Sequence, residues 1–188
     1  MCLIICLKNL DRRFNMKHIV LTGFMGSGKT TLGKALAELL DIPFFDIDQE
    51  IERISGRTIP ELFAISESYF RKIEALCTLR TLEKKEQCVI ALGGGSFCQT
   101  LIYETLNEEN YLTIYLDLSE EELLERLDVI RPTRPVLLAM PDEHWKTDSI
   151  KLYRQRRPQY LKARIHVMAH KITAQELKEN IENDRTLL

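Results

Sequence analysis

Residues 23–30, Gly-Phe-Met-Gly-Ser-Gly-Lys-Thr, spell GxxxxGK[ST] between an apolar run and the start of a helical pattern. The chemistry open to such a stretch is polyphosphate binding. Gly23, Gly26 and Gly28 permit backbone angles and close approaches that a side chain would block. The resulting ring of N–H groups, backed by a helix N-terminus, cradles phosphate oxygens. Lys29 then reaches the β and γ phosphates, and Thr30 offers a hydroxyl to Mg²⁺. A chance glycine-rich turn would not be flanked by a strand and a helix in that order.

Other groups have side chains suited to work beside a phosphate. A second apolar run ends Phe44-Phe45-Asp46-Ile47-Asp48. Asp48 is placed to accept a hydroxyl proton and Asp46 to hold waters of a Mg²⁺ shell, since ligands of open parallel sheets sit beyond the carboxyl ends of strands. Either residue also suits a helix N-cap, and both readings can hold together. A third run, Cys88-Val89-Ile90-Ala91-Leu92, ends in Gly93-Gly94-Gly95 with no acid there. Three glycines at a strand end imply a small ligand packed on bare backbone, or a sharp turn. Arg71, in Phe70-Arg71-Lys72-Ile73-Glu74, and Arg156, in Arg156-Arg157-Pro158-Gln159-Tyr160, could together grip a carboxylate bidentately. The stretch 149–175 holds seven Lys or Arg and no acid, and suits anionic ligands as a set, although a solvated face explains any single arginine.

These groups need elements to hold them. Short, nearly continuous apolar runs at 18–23, 42–46, 87–92, 111–116 and 164–168 read as strands buried on both faces. Helical patterns at 30–40, 48–55, 66–86, 98–107, 119–128, 143–157 and 173–184 alternate with them. Ser119 with Glu122, and Thr173 with Glu176, read as capping boxes. Strand–helix alternation predicts right-handed crossovers and a mostly parallel sheet in an α/β fold. Residues 129–142 break the pattern, because Pro132, Pro135 and Pro141 stop any helix there. That segment is either a surface connection or a mobile cover. Met16 stands just before the first strand, so 1–15 reads as a dispensable extension of a single domain over 16–188.

With 188 residues the chain can bury a full core. Its 26 basic and 28 acidic side chains give a net charge of −2, which argues against nucleic-acid binding. No apolar run is long enough to cross a membrane. Five cysteines in an odd count, without a CxxC pair, suggest free thiols in a cytoplasmic protein.

Taken in order, GFMGSGKTT at 23–31, FFDID at 44–48, FRKIE at 70–74, LGGG at 92–95, RPVLL at 134–138 and R-x-P-x-Y at 156–160 resemble shikimate kinases, in the nucleoside-monophosphate-kinase branch of P-loop proteins. The resemblance covers nearly all of 17–182. It implies a P-loop three-layer sandwich, a five-stranded parallel sheet flanked by helices, with a mobile lid at about 129–142. The implied activity, in aromatic amino acid biosynthesis, is transfer of the ATP γ-phosphoryl group to the 3-hydroxyl of shikimate, with Mg²⁺. The resemblance assigns Gly26, Ser27, Gly28, Lys29, Thr30 and Thr31 to the nucleotide, with Arg126 against adenine and Arg134 swinging from the lid to neutralise phosphoryl charge. It assigns Thr30 and Asp46 to the metal, and Asp48, Arg71, Gly93, Gly94, Gly95 and Arg156 to shikimate. Lys29, Asp48 and Arg134 would be the catalytic groups, in a monomer. Two features depart from the family pattern: residues 1–15 have no counterpart, and the loop after the last strand offers only His170 and Lys171 near the nucleotide. The rivals are a kinase of another small hydroxy acid, such as gluconate, and a nucleotide-binding regulator without catalysis.

Overall fold

The computed structural model describes residues 18–108 and 110–183; the expectation about residues 1–15 and Met16 lies outside them. Five strands form one sheet: β1 (His18–Thr22), β2 (Phe44–Asp46), β3 (Cys88–Ala91), β4 (Tyr111–Asp117) and β5 (Ile165–Met168). Their order is β2-β3-β1-β4-β5 and every pairing is parallel. β1, β3 and the first six residues of β4 are buried on both faces, which explains runs of Val, Ile and Leu without polar alternation. The same expectation fails for β2 and β5, which are only partly buried because they are the edge strands of the sheet, with a neighbour on one side.

Alternate residues feed two cores. Ile19, Leu21, Val89, Leu112, Ile114 and Leu116 face α1 (Lys29–Leu40) and α9 (Ala174–Asn183) through Leu36, Ala37 and Leu177. Val20, Ile90 and Tyr115 face the larger set: α2 (Ile47–Ser55), α3 (Ile59–Ile65), α4 (Glu67–Leu82), α5 (Thr100–Leu106), α6 (Glu120–Ile130), α7 (Pro135–Leu138) and α8 (Trp145–Tyr160). The result is the three-layer sandwich. Both expected capping boxes form: Ser119 with Glu122 opens α6, and Thr173 exchanges bonds with Glu176 before α9.

Three helix expectations need correction. The region between α2 and α4 contains α3, started by a Thr58–Glu61 capping box with Pro60 in its first turn. Residues 129–142 are not free of helix: α6 runs to Ile130, a 3₁₀ turn spans Arg131–Thr133, and α7 starts at Pro135, where a proline needs no N–H partner. α8 continues through Pro158 to Tyr160. An interior proline removes the bond to the carbonyl four residues back, but here it falls in the last turn, and the burial of Tyr160 holds the chain helical. Among the described residues no helix is long and apolar enough to cross a membrane. Cys77, Cys88 and Cys98 form no disulfide among the described residues.

Parallel register brings the chemistry to one edge. Leu21 pairs with Ala91, and Ala91 with Asp46, so the loops after β1 and β3 and the carboxylate ending β2 emerge side by side.

Candidate active site

The glycine-rich loop leaves β1 and runs into α1. Gly28 caps that helix in the left-handed region, at φ +92°, where a side chain would be strained. Lys29 folds back over the loop, and its Nζ donates to Gly23 O and Phe24 O at 2.9 Å each and to Ser27 Oγ at 3.3 Å. Burial pushes the Lys29 ammonium down to about 8; Asp48 and Asp46 pull it back up and Arg134 lowers it further. An added anion here would favour the charged form. Gly26, Gly28, Lys29, Thr30 and Thr31 line a cavity with Asp46 and Asp48, while Ser27 is buried at the loop's base against Lys29.

Thr30 Oγ1 donates to Asp46 Oδ2 at 2.6 Å. A hydroxyl and a carboxylate in contact at the mouth of the loop fit Mg²⁺, which takes few protein oxygens and completes its shell from phosphate and water. The other oxygen of Asp46 accepts from the backbone N–H of Asp48 at 3.0 Å and of Gln49 at 3.3 Å. Asp46 is therefore the cap of α2, and Asp48 is free of that duty.

Asp48 instead meets the segment after α6. Arg134 donates to Asp48 Oδ2 at 3.2 Å. Burial, then the neighbouring Asp46, raises the Asp48 carboxyl above its ordinary range, against the lowering pull of Arg134 and Lys29. Arg134 Nε is buried with no hydrogen-bond partner among the described residues, so this guanidinium has a spare donor.

A second cavity lies beyond Asp48. Arg71, Arg156, Gly94 and Gly95 supply its polar lining; Ile59, Phe63, Phe70 and Val136 supply apolar walls. Arg71 NH1 donates to Glu74 at 2.7 Å, and its Nε and NH2 approach Glu67 at 3.3 and 3.1 Å. Burial opposes the Arg71 charge, but Glu74 and Glu67 outweigh it and raise its affinity for the proton. The guanidinium also lies over Phe70, 5.2 Å from the ring centre. Arg156 NH1 donates to Gly94 O at 3.3 Å, beside the Tyr160 hydroxyl, which donates to the same oxygen.

The triple glycine is explained by crowding from the protein itself. A Cβ on Gly95 would come within 2.7 Å of Arg71 NH1, and one on Gly93 would strike Glu74, Ser96 and Asp48. Gly94 and Gly95 face the cavity, while Gly93 is buried among those side chains. Sequence reasoning missed Glu74, which is 1% exposed and also accepts from Ser96 Oγ at 2.7 Å and Gln99 Nε2 at 2.6 Å. Its three-residue spacing from Arg71 was the available signal. Nothing local marks Ser96 or Gln99.

The basic stretch does not converge on one anion. Arg156 reaches the cavity, but Arg154 pairs with Glu120, Arg157 with Asp117, and Arg164 NH2 donates to the Glu108 carbonyl. Two acids and a backbone carbonyl on other segments absorb them, which a local count of acids could not reveal. On the nucleotide side, Arg126 donates to Gly26 O at 3.1 Å and His170 pairs with Glu122 at 2.8 Å.

The two cavities share Met25, Asp48, Gly94 and Arg134. Such an arrangement can hold a phosphate donor on one side and a small anionic acceptor on the other, with a carboxylate and a guanidinium between them.

Comparison with known proteins agrees. The family model described as shikimate kinase matches residues 25–184. Shikimate kinase from Bartonella quintana is 38% identical over 177 residues, 93% of this chain and 79% of that protein. The crystal structure of shikimate kinase from Bacteroides thetaiotaomicron aligns with a TM-score of 0.79 at 33% identity, covering 88% of this chain and 98% of that one. Shikimate kinase from Acinetobacter baumannii, solved in complex with shikimate, gives 0.76 at 34% identity, covering 89% and 91%.

Proposed function

The chain belongs to the shikimate kinase family, and on that premise we propose that it transfers the γ-phosphoryl group of ATP to the 3-hydroxyl of shikimate. The observation that carries this reading is the meeting of the two cavities at Asp48 and Arg134.

The glycine loop, with Lys29, Thr30 and Thr31, binds the triphosphate, and Arg126 braces that loop from α6 toward the adenine side. Thr30 and Asp46 would hold Mg²⁺, which when bound neutralises phosphate charge. Arg71 and Arg156 grip the acceptor carboxylate, with Gly94 and Gly95 giving it backbone to lie on. Asp48 orients the 3-hydroxyl and takes its proton as the new O–P bond forms and the bond to ADP breaks. Its raised proton affinity makes it a stronger base than an ordinary carboxylate. Lys29 and Arg134 meet the charge on the transferred group, which is where a loose transition state needs help. Residues 129–142 serve as the lid: α7 brings Pro135 and Val136 against the acceptor cavity and keeps water from competing as acceptor.

The same reading takes the enzyme to be a monomer, since the motifs of one chain supply every group it uses. Dependence on ATP, and described cysteines that form no disulfide, support a cytoplasmic one. A coupled ADP-release assay tests the reading, with shikimate, gluconate and no acceptor in parallel arms. ADP release dependent on shikimate, with shikimate 3-phosphate identified by mass, is the expected result. Preference for gluconate would reassign the acceptor, and nucleotide binding without release would make the chain a regulator.

A further inference from the structure

α8 delivers Arg156, yet its sequence Arg154-Gln155-Arg156-Arg157 offers neighbouring guanidiniums, and a different rotation of the helix about its axis would present another one. Successive residues on a helix point about 100° apart, at 3.6 residues per turn. Something must therefore fix the rotation of α8 about its axis.

Asp117, which ends β4, is placed to do so. Its Oδ1 accepts from the Tyr115 and Tyr153 hydroxyls at 2.6 Å each and from the Leu118 N–H at 3.0 Å. Its Oδ2 accepts from Arg157 NH2 at 2.8 Å. Tyr115 is fully buried, Tyr153 nearly so, and the Asp117 side chain is only 13% exposed. Charge-assisted bonds so shielded are strong and direction-dependent. Burial alone would raise the Asp117 carboxyl, but Arg157 and the two hydroxyls outweigh it and hold it below its ordinary range. Tyr115 also stacks on Tyr160 at 5.3 Å between ring centres, and Tyr160 donates to the same Gly94 oxygen that Arg156 contacts. Tyr153, Arg157 and Tyr160 are spaced four and three residues apart, so one side of α8 is fastened along two turns.

We propose that Asp117 is a positioning residue for acceptor recognition: by claiming Arg157 and Tyr153 it fixes the rotation of α8 and selects Arg156 for the acceptor cavity. This rests on the reading that Arg156 grips the acceptor carboxylate. The remaining pairs on α8 do not perform this task. Lys146–Asp128 and Arg154–Glu120 are solvent-exposed, with the lysine and arginine side chains 53% and 67% exposed, and such pairs hold geometry weakly.

Arg157→Gln is the first test, since its guanidinium is 44% exposed and its loss is expected to leave the fold intact. A misplacement of 1 Å can cost about 10²-fold, so a partial loosening is expected to raise the KM for shikimate about tenfold. The KM for ATP and kcat should stay within about twofold, and Arg157→Lys should recover most of the loss. Asp117→Asn, which keeps the shape and the tyrosine bonds, should shift the same constant in the same direction. Arg156→Ala is the control for the underlying reading, and Arg157→Gln should add nothing in that background. An additive effect, equal changes in both KM values, or a fall in melting temperature with unchanged constants would overturn the positioning role. An unchanged shikimate KM in Arg156→Ala would overturn the carboxylate grip itself, and the positioning role with it.

Discussion

The phosphate loop and the acceptor cavity touch at Asp48 and Arg134, but they are built by different means. The loop is a run of adjacent residues whose work is done by backbone: glycine geometry, N–H groups and a helix N-terminus, with Lys29 folded onto its own carbonyls. The cavity is a set of side chains from α4, α8, the turn after β3 and the segment after α6, each held by partners elsewhere in the chain. Arg71 stands on Glu74, Glu74 on Ser96 and Gln99, and Arg156 beside Tyr160 on Gly94. On the proposed roles, donor binding is therefore a local property of the chain, whereas acceptor binding is a property of the assembled fold. Substitutions in the two regions should separate in KM, and those at their junction should appear in kcat.

The junction should give the largest effects. Arg134→Ala removes a guanidinium that lines both cavities, and losing one donor of that kind lowers kcat by about 10²–10³. Steady-state kinetics should show this with both KM values little changed; an unchanged kcat would remove Arg134 from the chemistry.

Asp48→Asn should come next. Because Asp46 is the cap of α2, the amide should leave the melting temperature in place. It cannot take a proton, and general-base help is worth about 10²–10⁴-fold. A loose transition state needs little early proton removal, so the lower end, about 10² in kcat, is expected. Thermal melting and kcat on the same sample check both halves.

On the acceptor side alone, Arg71→Lys keeps charge and loses the fork as well as the contact with Phe70. The KM for shikimate should rise about tenfold, with the KM for ATP unmoved, since removing a hydrogen bond to a charged group costs roughly 1.5–3 kcal/mol. The methyl ester of shikimate should lose the same discrimination between the two enzymes. Equal rises in both KM values would mean that Arg71 supports the fold and not the acid.

The same contrast explains what could be read from the sequence. The loop at 23–30 was legible because all its parts are contiguous, and the sheet because strands buried on both faces leave unbroken apolar runs. Arg71 and Arg156 could be singled out, but their supports could not: Gln99 lies 25 residues from Glu74, and Asp117 lies 40 from Arg157. The short α3 and α7 escaped because neither is long enough to show a helical period, and both carry a proline that reads as a stop. The triple glycine signalled close approach correctly, although the approaching atoms include the chain's own Arg71 and Glu74.

The smallest expected effect concerns Glu67, whose relation to Arg71 differs from that of Glu74. Glu74 is buried and holds NH1; Glu67 is 62% exposed and sits at Nε and NH2, the edge through which a guanidinium takes a carboxylate in two bonds. A shikimate carboxylate using that edge must displace Glu67, so the two compete. An exposed pair is worth about 0.2–1 kcal/mol, which sets the gain from removing its charge at no more than about fivefold. Glu67→Gln should lower the KM for shikimate by up to that factor at low salt, leaving kcat and the KM for ATP unchanged. The gain should shrink in high salt, where screening already weakens the competitor. A separate cost is expected in stability, because Glu67 is the acid in the first turn of α4 and its charge there is worth about 0.3–1 kcal/mol. A lower melting temperature with a lower shikimate KM would mark Glu67 as a competitor for the arginine. A higher KM would instead make it a second support like Glu74, and the acceptor cavity would then hold Arg71 from both sides.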